Sequence, residues 1–120
     1  ADVGVLNRTR VRAEALAGEL GADVVEVTAL SEAALVVNAL SIPPEVDMSR
    51  LRDDAVLMDM TYRPLITSFL MQGRSRGLTT VDGLAMLIGQ ARPSFEAIFG
   101  IEPPPINVRT AALKALGETS

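Results

Sequence analysis

The chain has no cysteine, no histidine and no tryptophan, and its 120 residues include one tyrosine. Without cysteine there is no disulfide and no thiolate nucleophile. Without histidine the side chain best suited to proton transfer near neutrality is gone, and most zinc sites go with the pair, so a metal would have to be held by carboxylates alone. Lys114, near the end, is the only lysine against ten arginines, which leaves few candidates for lysine acid–base work. Aromatic residues make up 3%, too few for platforms that stack bases. A formal net charge of -4 argues against a general nucleic-acid surface, because neutralising several phosphates takes a basic face. The longest apolar runs, such as AALVVNAL, are far shorter than a bilayer span, and the first residues show no charged-then-apolar leader. A cytoplasmic protein with neither nucleic-acid nor membrane partners is expected.

What is present is a hydrophobic content of 48%, enough for one domain with a sizeable core. VGVL (3–6) predicts a short buried strand. A helix follows over 9–20, with Thr9 as N-cap, an apolar stripe of Val11, Ala15, Leu16 and Leu20, and Gly21 as its stop. DVVEV (23–27) reads as a strand, and SEAALVVNAL passes from an acidic helical turn into a buried strand over about 35–40. After the SIPPEV loop, AVLMDM (55–60) is another strand, LITSFLMQGRSRG (65–77) a helix closed by Gly77, and TTV a short strand. GLAMLIGQARPSFEAIFG predicts a longer helix that bends or restarts at Pro93, and PPP (103–105) precedes a last helix over about 107–117. Strands alternating with helices imply an α/β fold: a Rossmann-like parallel sheet with helices on both faces.

An acidic chain that places Arg8, Arg10 and Arg12 just after its first strand calls for an explanation. In a dinucleotide-binding sheet the end of the second strand meets the adenosine ribose. An Asp or Glu there holds the 2′-hydroxyl of NAD, whereas a 2′-phosphate needs Arg, which offers fixed paired donors and keeps its charge. After VLN no acidic residue appears before Glu14. Asn7 and Thr9 can add neutral hydrogen bonds, and Arg12, one turn on, can point back over the same anion, which favours NADP over NAD. Arg10 falls on another side of the helix and is expected to be solvated. The alternative is an exposed, merely decorated first turn, at a mild cost because cations sit badly at a helix N-terminus.

Four segments, NRTRVRAEALA, VVNALS, DMTYRPLIT and DGLAMLIGQARPSFEAIFG, occur in an order and style that resembles the shikimate dehydrogenase family, over about residues 3–100. The last two are the most specific, since a YxPxxT stretch after a strand followed by a GLxMLxxQA helix is not a general feature of dinucleotide folds. The resemblance implies NADPH-dependent reduction of 3-dehydroshikimate to shikimate, on the route to aromatic amino acids. By similarity, Asn7, Arg8, Thr9 and Arg12 hold the 2′-phosphate of NADP, Ala39 and Ser41 lie along the cofactor path, and Met60, Gly83 and Met86 line the nicotinamide side. Tyr62 and Gln90 match positions that reach the substrate. Each has a plainer alternative: a partly buried phenol for Tyr62, a solvated helix residue for Gln90, core filling for the methionines. Asp59 receives no proton-transfer role from the resemblance and is read as structural. Two departures stand out: NALSIPP replaces the family's NATS, so that Leu40 stands for a threonine, and Asp82 stands where Asn is common.

The sequence shows no strand leading into a Gly-rich, pyrophosphate-holding turn. Residues 1–120 are therefore expected to form a partial NADP-binding domain, the C-terminal portion of a two-domain dehydrogenase lacking its first, central strand and its N-terminal substrate domain. In the strand order 3-2-1-4-5-6 that gap separates strands 2 and 3 from strands 4 to 6 and leaves two unpaired edges. Swapping between two copies, or association with an N-terminal segment, would fill it. The family's catalytic Lys and Asp belong to the other domain, so no catalytic residue is assigned here. The remaining alternatives are a non-catalytic nucleotide-binding module and a quinate-type relative.

Overall fold

The structure, a computed structural model, describes residues 2–117. Two strands, β1 (Gly4–Val5) and β2 (Asp23–Val24), pair in parallel and are joined by α1 (Arg10–Leu20). A 3-10 helix, Val27–Glu32, leads into β3 (Leu35–Asn38), which pairs in parallel with β4 (Val56–Asp59). Then come α2 (Ser68–Ser75), β5 (Thr79–Val81), α3 (Gly83–Phe99) and α4 (Val108–Leu116), with β5 parallel to β4. The strands form two sheets, β1-β2 and β3-β4-β5, with no strand between them among the described residues. That is the division expected of this strand order.

The alternation of side chains across a strand explains which face of the larger sheet is core. Register sets Val36 beside Leu57 and Thr80, and Asn38 beside Asp59, on one face. That face is covered by α2: Leu57 packs with Phe69, Leu70, Leu51, Ala55 and Leu78. A second cluster, Leu65, Leu84 and Leu113, ties α3 to α4, and Ile66 touches both.

The opposite face carries Leu35 and Val37, both exposed, and half-buried Val56 and Met58. β3 is an edge strand, so only Asn38 of its residues is buried, contrary to the buried strand expected at 35–40. The α1 stripe also differs from expectation. Ala13 and Ala17, one turn apart, are its buried residues, while Val11 (74% exposed), Leu16 and Leu20 face outward. A two-stranded sheet offers little surface, and the alanine edge allows the closest approach to it.

Helix boundaries follow their caps. Thr67 accepts from the Leu70 amide and starts α2 at Ser68, three residues later than the apolar pattern suggests. Asp82 and Asn107 cap α3 and α4 in the same way. Pro93 lies inside an unbroken α3, so the helix does not restart there. α3 ends at Gly100, whose φ of 70° belongs to the left-handed region and lets its amide bond the Glu96 carbonyl. Residues 25–27 continue from β2 into the 3-10 helix rather than extending the strand.

Candidate cofactor and substrate site

The turn from β1 into α1 is organised by Asn7, whose Oδ1 accepts from the Thr9 amide at 2.8 Å. This bond shapes the entry to the helix. Thr9 occupies the N-cap with its carbonyl accepting from Arg12 and Ala13, but its hydroxyl makes no capping bond. The three arginines then divide. Arg10 is exposed yet engaged, donating to Glu26 at 2.7 Å and Glu14 at 3.1 Å, and these bonds, Glu26 foremost, raise its guanidinium above the ordinary value. It is an ion-pair partner rather than a freely solvated charge. Arg8 and Arg12 form no ion pair and no side-chain hydrogen bond among the described residues. Two uncommitted guanidiniums and a free hydroxyl thus sit at the positive end of a helix, with no acidic residue in its first turn. This donor set suits a phosphate.

A cleft of about 350 Å³ opens at the carboxyl ends of β3 and β4, where open α/β sheets bind their ligands. Asn38, Leu40, Ser41, Thr61, Arg63 and Ser68 line it. Its floor is Asp59, which is 1% exposed. Three groups donate to that carboxyl: Thr67 Oγ1 at 2.7 Å, the Thr61 amide at 2.9 Å and Asn38 Nδ2 at 3.2 Å. Full satisfaction is what lets a carboxyl sit at a buried strand end, and it agrees with the structural reading of Asp59.

Of the residues singled out from sequence, Ser41 lines this cleft, while Ala39 beside it is exposed and does not. Met60 and Tyr62 follow β4 and are both 43% exposed. Gly83 is buried at the first turn of α3, where an added Cβ would lie 2.5 Å from the Thr61 carbonyl oxygen and 2.6 Å from that of Met60. Glycine is thus what allows α3 to abut the segment carrying Tyr62. Met86 is half-buried on the same helix, and Gln90, two turns from the N-terminus, is exposed with no side-chain hydrogen bond among the described residues. The structure therefore joins Met60 to Gly83 directly. Asn38, Thr61, Arg63 and Thr67 carry no role from the sequence, although all four lie inside the VVNALS and DMTYRPLIT segments; the register that sets Asn38 beside Asp59 leaves no local signal there.

Among the described residues no helix is long and apolar enough to cross a membrane. No family model matches the chain. It is 44% identical over 129 aligned positions to shikimate dehydrogenase (NADP(+)) of Caulobacter vibrioides, covering 97% of this chain and 45% of that protein. Among solved structures it matches shikimate 5-dehydrogenase of Thermus thermophilus, in complex with NADP(H) and shikimate, with a TM-score of 0.84 and 34% identity over 95% of this chain and 46% of the other. Quinate dehydrogenase from Corynebacterium glutamicum, in complex with NAD, matches with a TM-score of 0.68 and 29% identity over 86% and 43%. The chain spans a little under half the length of these relatives. In sequence and in fold the chain is similar to a little under half of the length of shikimate dehydrogenases.

Proposed function

We propose that residues 1–120 are the C-terminal, NADP-binding portion of a shikimate dehydrogenase, serving NADPH-dependent reduction of 3-dehydroshikimate to shikimate. The observation that carries the cofactor choice is the division of the arginines, with Arg10 committed to Glu26 and Glu14 while Arg8 and Arg12 keep their donors. NADPH supplies a hydride to the substrate carbonyl carbon. In this reading Arg8, Arg12 and the Thr9 hydroxyl take the 2′-phosphate, with Asn7 holding the turn in shape. Ala39 and Ser41 border the path, Met60, Gly83 and Met86 frame the nicotinamide, and Tyr62 and Gln90 orient the substrate. The proton for the new alkoxide comes from a Lys and Asp of a substrate domain outside these residues. The protein works in the cytoplasm, and the open edges of β1 and β3 are filled by an N-terminal segment or by exchange with a second copy.

Binding of NADP+ and NAD+ to the intact polypeptide that carries these residues tests the cofactor assignment. A clear preference for NADP+ supports it, and equal affinity overturns it. A quinate-type activity is the second reading, favoured by the likeness to the quinate dehydrogenase. Turnover of quinate above that of shikimate would select it.

A further inference from the structure

A sheet core has no need of a carboxyl at the end of β4. Asp59 is among the largest fully buried side chains of the described residues, in company with Phe69, Leu57, Leu70 and Leu84, and a branched apolar residue would pack there without polar atoms to satisfy. What the carboxyl adds is geometry. Its three donors come from three different segments: the end of β3, the loop after β4 and the cap of α2. Each passes the restraint on. Asn38, held through Nδ2, uses Oδ1 to accept from the Leu40 amide at 3.2 Å, which directs the chain toward Ser41 in the cleft wall. The Thr61 amide, held by Oδ1, sits between Met60 and Tyr62. Thr67 spends its hydroxyl proton on Asp59 and its lone pair on the Leu70 amide, fixing the start of α2 and with it Ser68.

Asp59 itself cannot be the proton donor: it is closed from solvent and its oxygens are occupied by these donors. We propose that Asp59 is a positioning residue, which through Asn38, Thr61 and Thr67 sets the two loops that shape the nicotinamide and substrate end of the cleft. The role rests on the dehydrogenase reading above. It predicts a split between the two ends of the site, because the arginine turn belongs to the other sheet and, among the described residues, shares no hydrogen bond with this network.

The test compares Asp59→Asn with wild type in the intact polypeptide, with enzyme concentration set by NADP+ binding capacity. The amide keeps the shape but replaces one acceptor by a donor facing donors. The expected result is a rise in KM for shikimate and a fall in kcat, each of about tenfold, as a misplaced loop gives, with the Kd for NADP+ changed by less than about threefold. A purely structural role would lower the amount of binding-competent protein and leave KM untouched; that result overturns the proposal. Should Asp59→Asn not fold, Thr67→Val and Thr67→Ser decide: KM raised by valine and retained by serine supports the role, and equal KM values overturn it. Wild type inactive on shikimate and quinate alike would instead sink the dehydrogenase reading, and this role with it.

Discussion

Arg109 grips Asp82 with both terminal guanidinium nitrogens, Nη2 to Oδ2 at 2.7 Å and Nη1 to Oδ1 at 3.3 Å. Asp82 is at the same time the N-cap of α3, accepting from the Ala85 amide at 2.8 Å. One carboxylate therefore both starts α3 and fastens α4 to it, beside the Leu84–Leu113 contact that buries the interface between the two helices. The departure from Asn at this position has a partner to account for it.

Replacing Asp82 by Asn retains a good cap and removes the charge pair, whereas Ala removes both. Arg109 is 41% exposed, so the pair is worth less than a fully enclosed one. Asp82→Asn should destabilise the fold by about 1 kcal/mol and Asp82→Ala by about 2 kcal/mol. Denaturant melts of the intact polypeptide and the two variants check this ordering.

The Arg109 bonds hold the Asp82 carboxyl below its ordinary value, against the opposing pull of burial. A carboxylate lowered in the folded state adds stability above its unfolded pKa, and that stability is lost as pH falls through the folded value. The contribution should be complete above about pH 4 and shrink below it. Asp47 and Asp54 are lowered too, by Ser49 and by Arg52, so the quantity to measure is the difference between wild type and Asp82→Asn. That difference should be constant near neutrality and close toward zero in acid.

Gly83→Ala forces a methyl group against two backbone oxygens, which cannot swing aside as a side-chain end can. A cost of about 1–3 kcal/mol is expected from such overpacking. Because those oxygens belong to Met60 and Thr61, the shikimate KM should rise together with the loss of stability. Gly89→Ala, where a Cβ meets nothing within 4 Å, is the control that should melt no lower than wild type.

Arg8→Ala should weaken NADP+ binding by about 1.5–3 kcal/mol while leaving NAD+ nearly unchanged, since only the former carries the 2′-phosphate. Arg10→Ala should do much less to either, its guanidinium being spent on Glu26 and Glu14. Isothermal titration of both cofactors against both variants separates the two arginines.

Much of the fold was legible because its signals are local. Gly21 and Gly100 close helices where they stand, Asp82 and Asn107 open them, and VLMD and TTV form the strands their composition suggests. What failed depended on partners. Val11, Leu16 and Leu20 look like a core stripe until the size of the sheet beneath them is known, and Leu35 and Val37 are exposed because β3 borders the gap where no strand lies among the described residues. In the candidate site, the arginine turn is proposed from residue type and position, and the structure adds the commitment of Arg10 to Glu14 and Glu26. The Asn38–Asp59 relationship spans 21 residues and exists only through strand register, which no local pattern displays.

Initial rates of shikimate oxidation by the intact polypeptide, with NADP+ and with NAD+, decide whether it is a shikimate dehydrogenase. The dehydrogenase reading predicts shikimate-dependent formation of reduced cofactor, faster with NADP+ than with NAD+ and faster than with quinate in place of shikimate. A rate that is independent of shikimate, or a preference for NAD+, would contradict it.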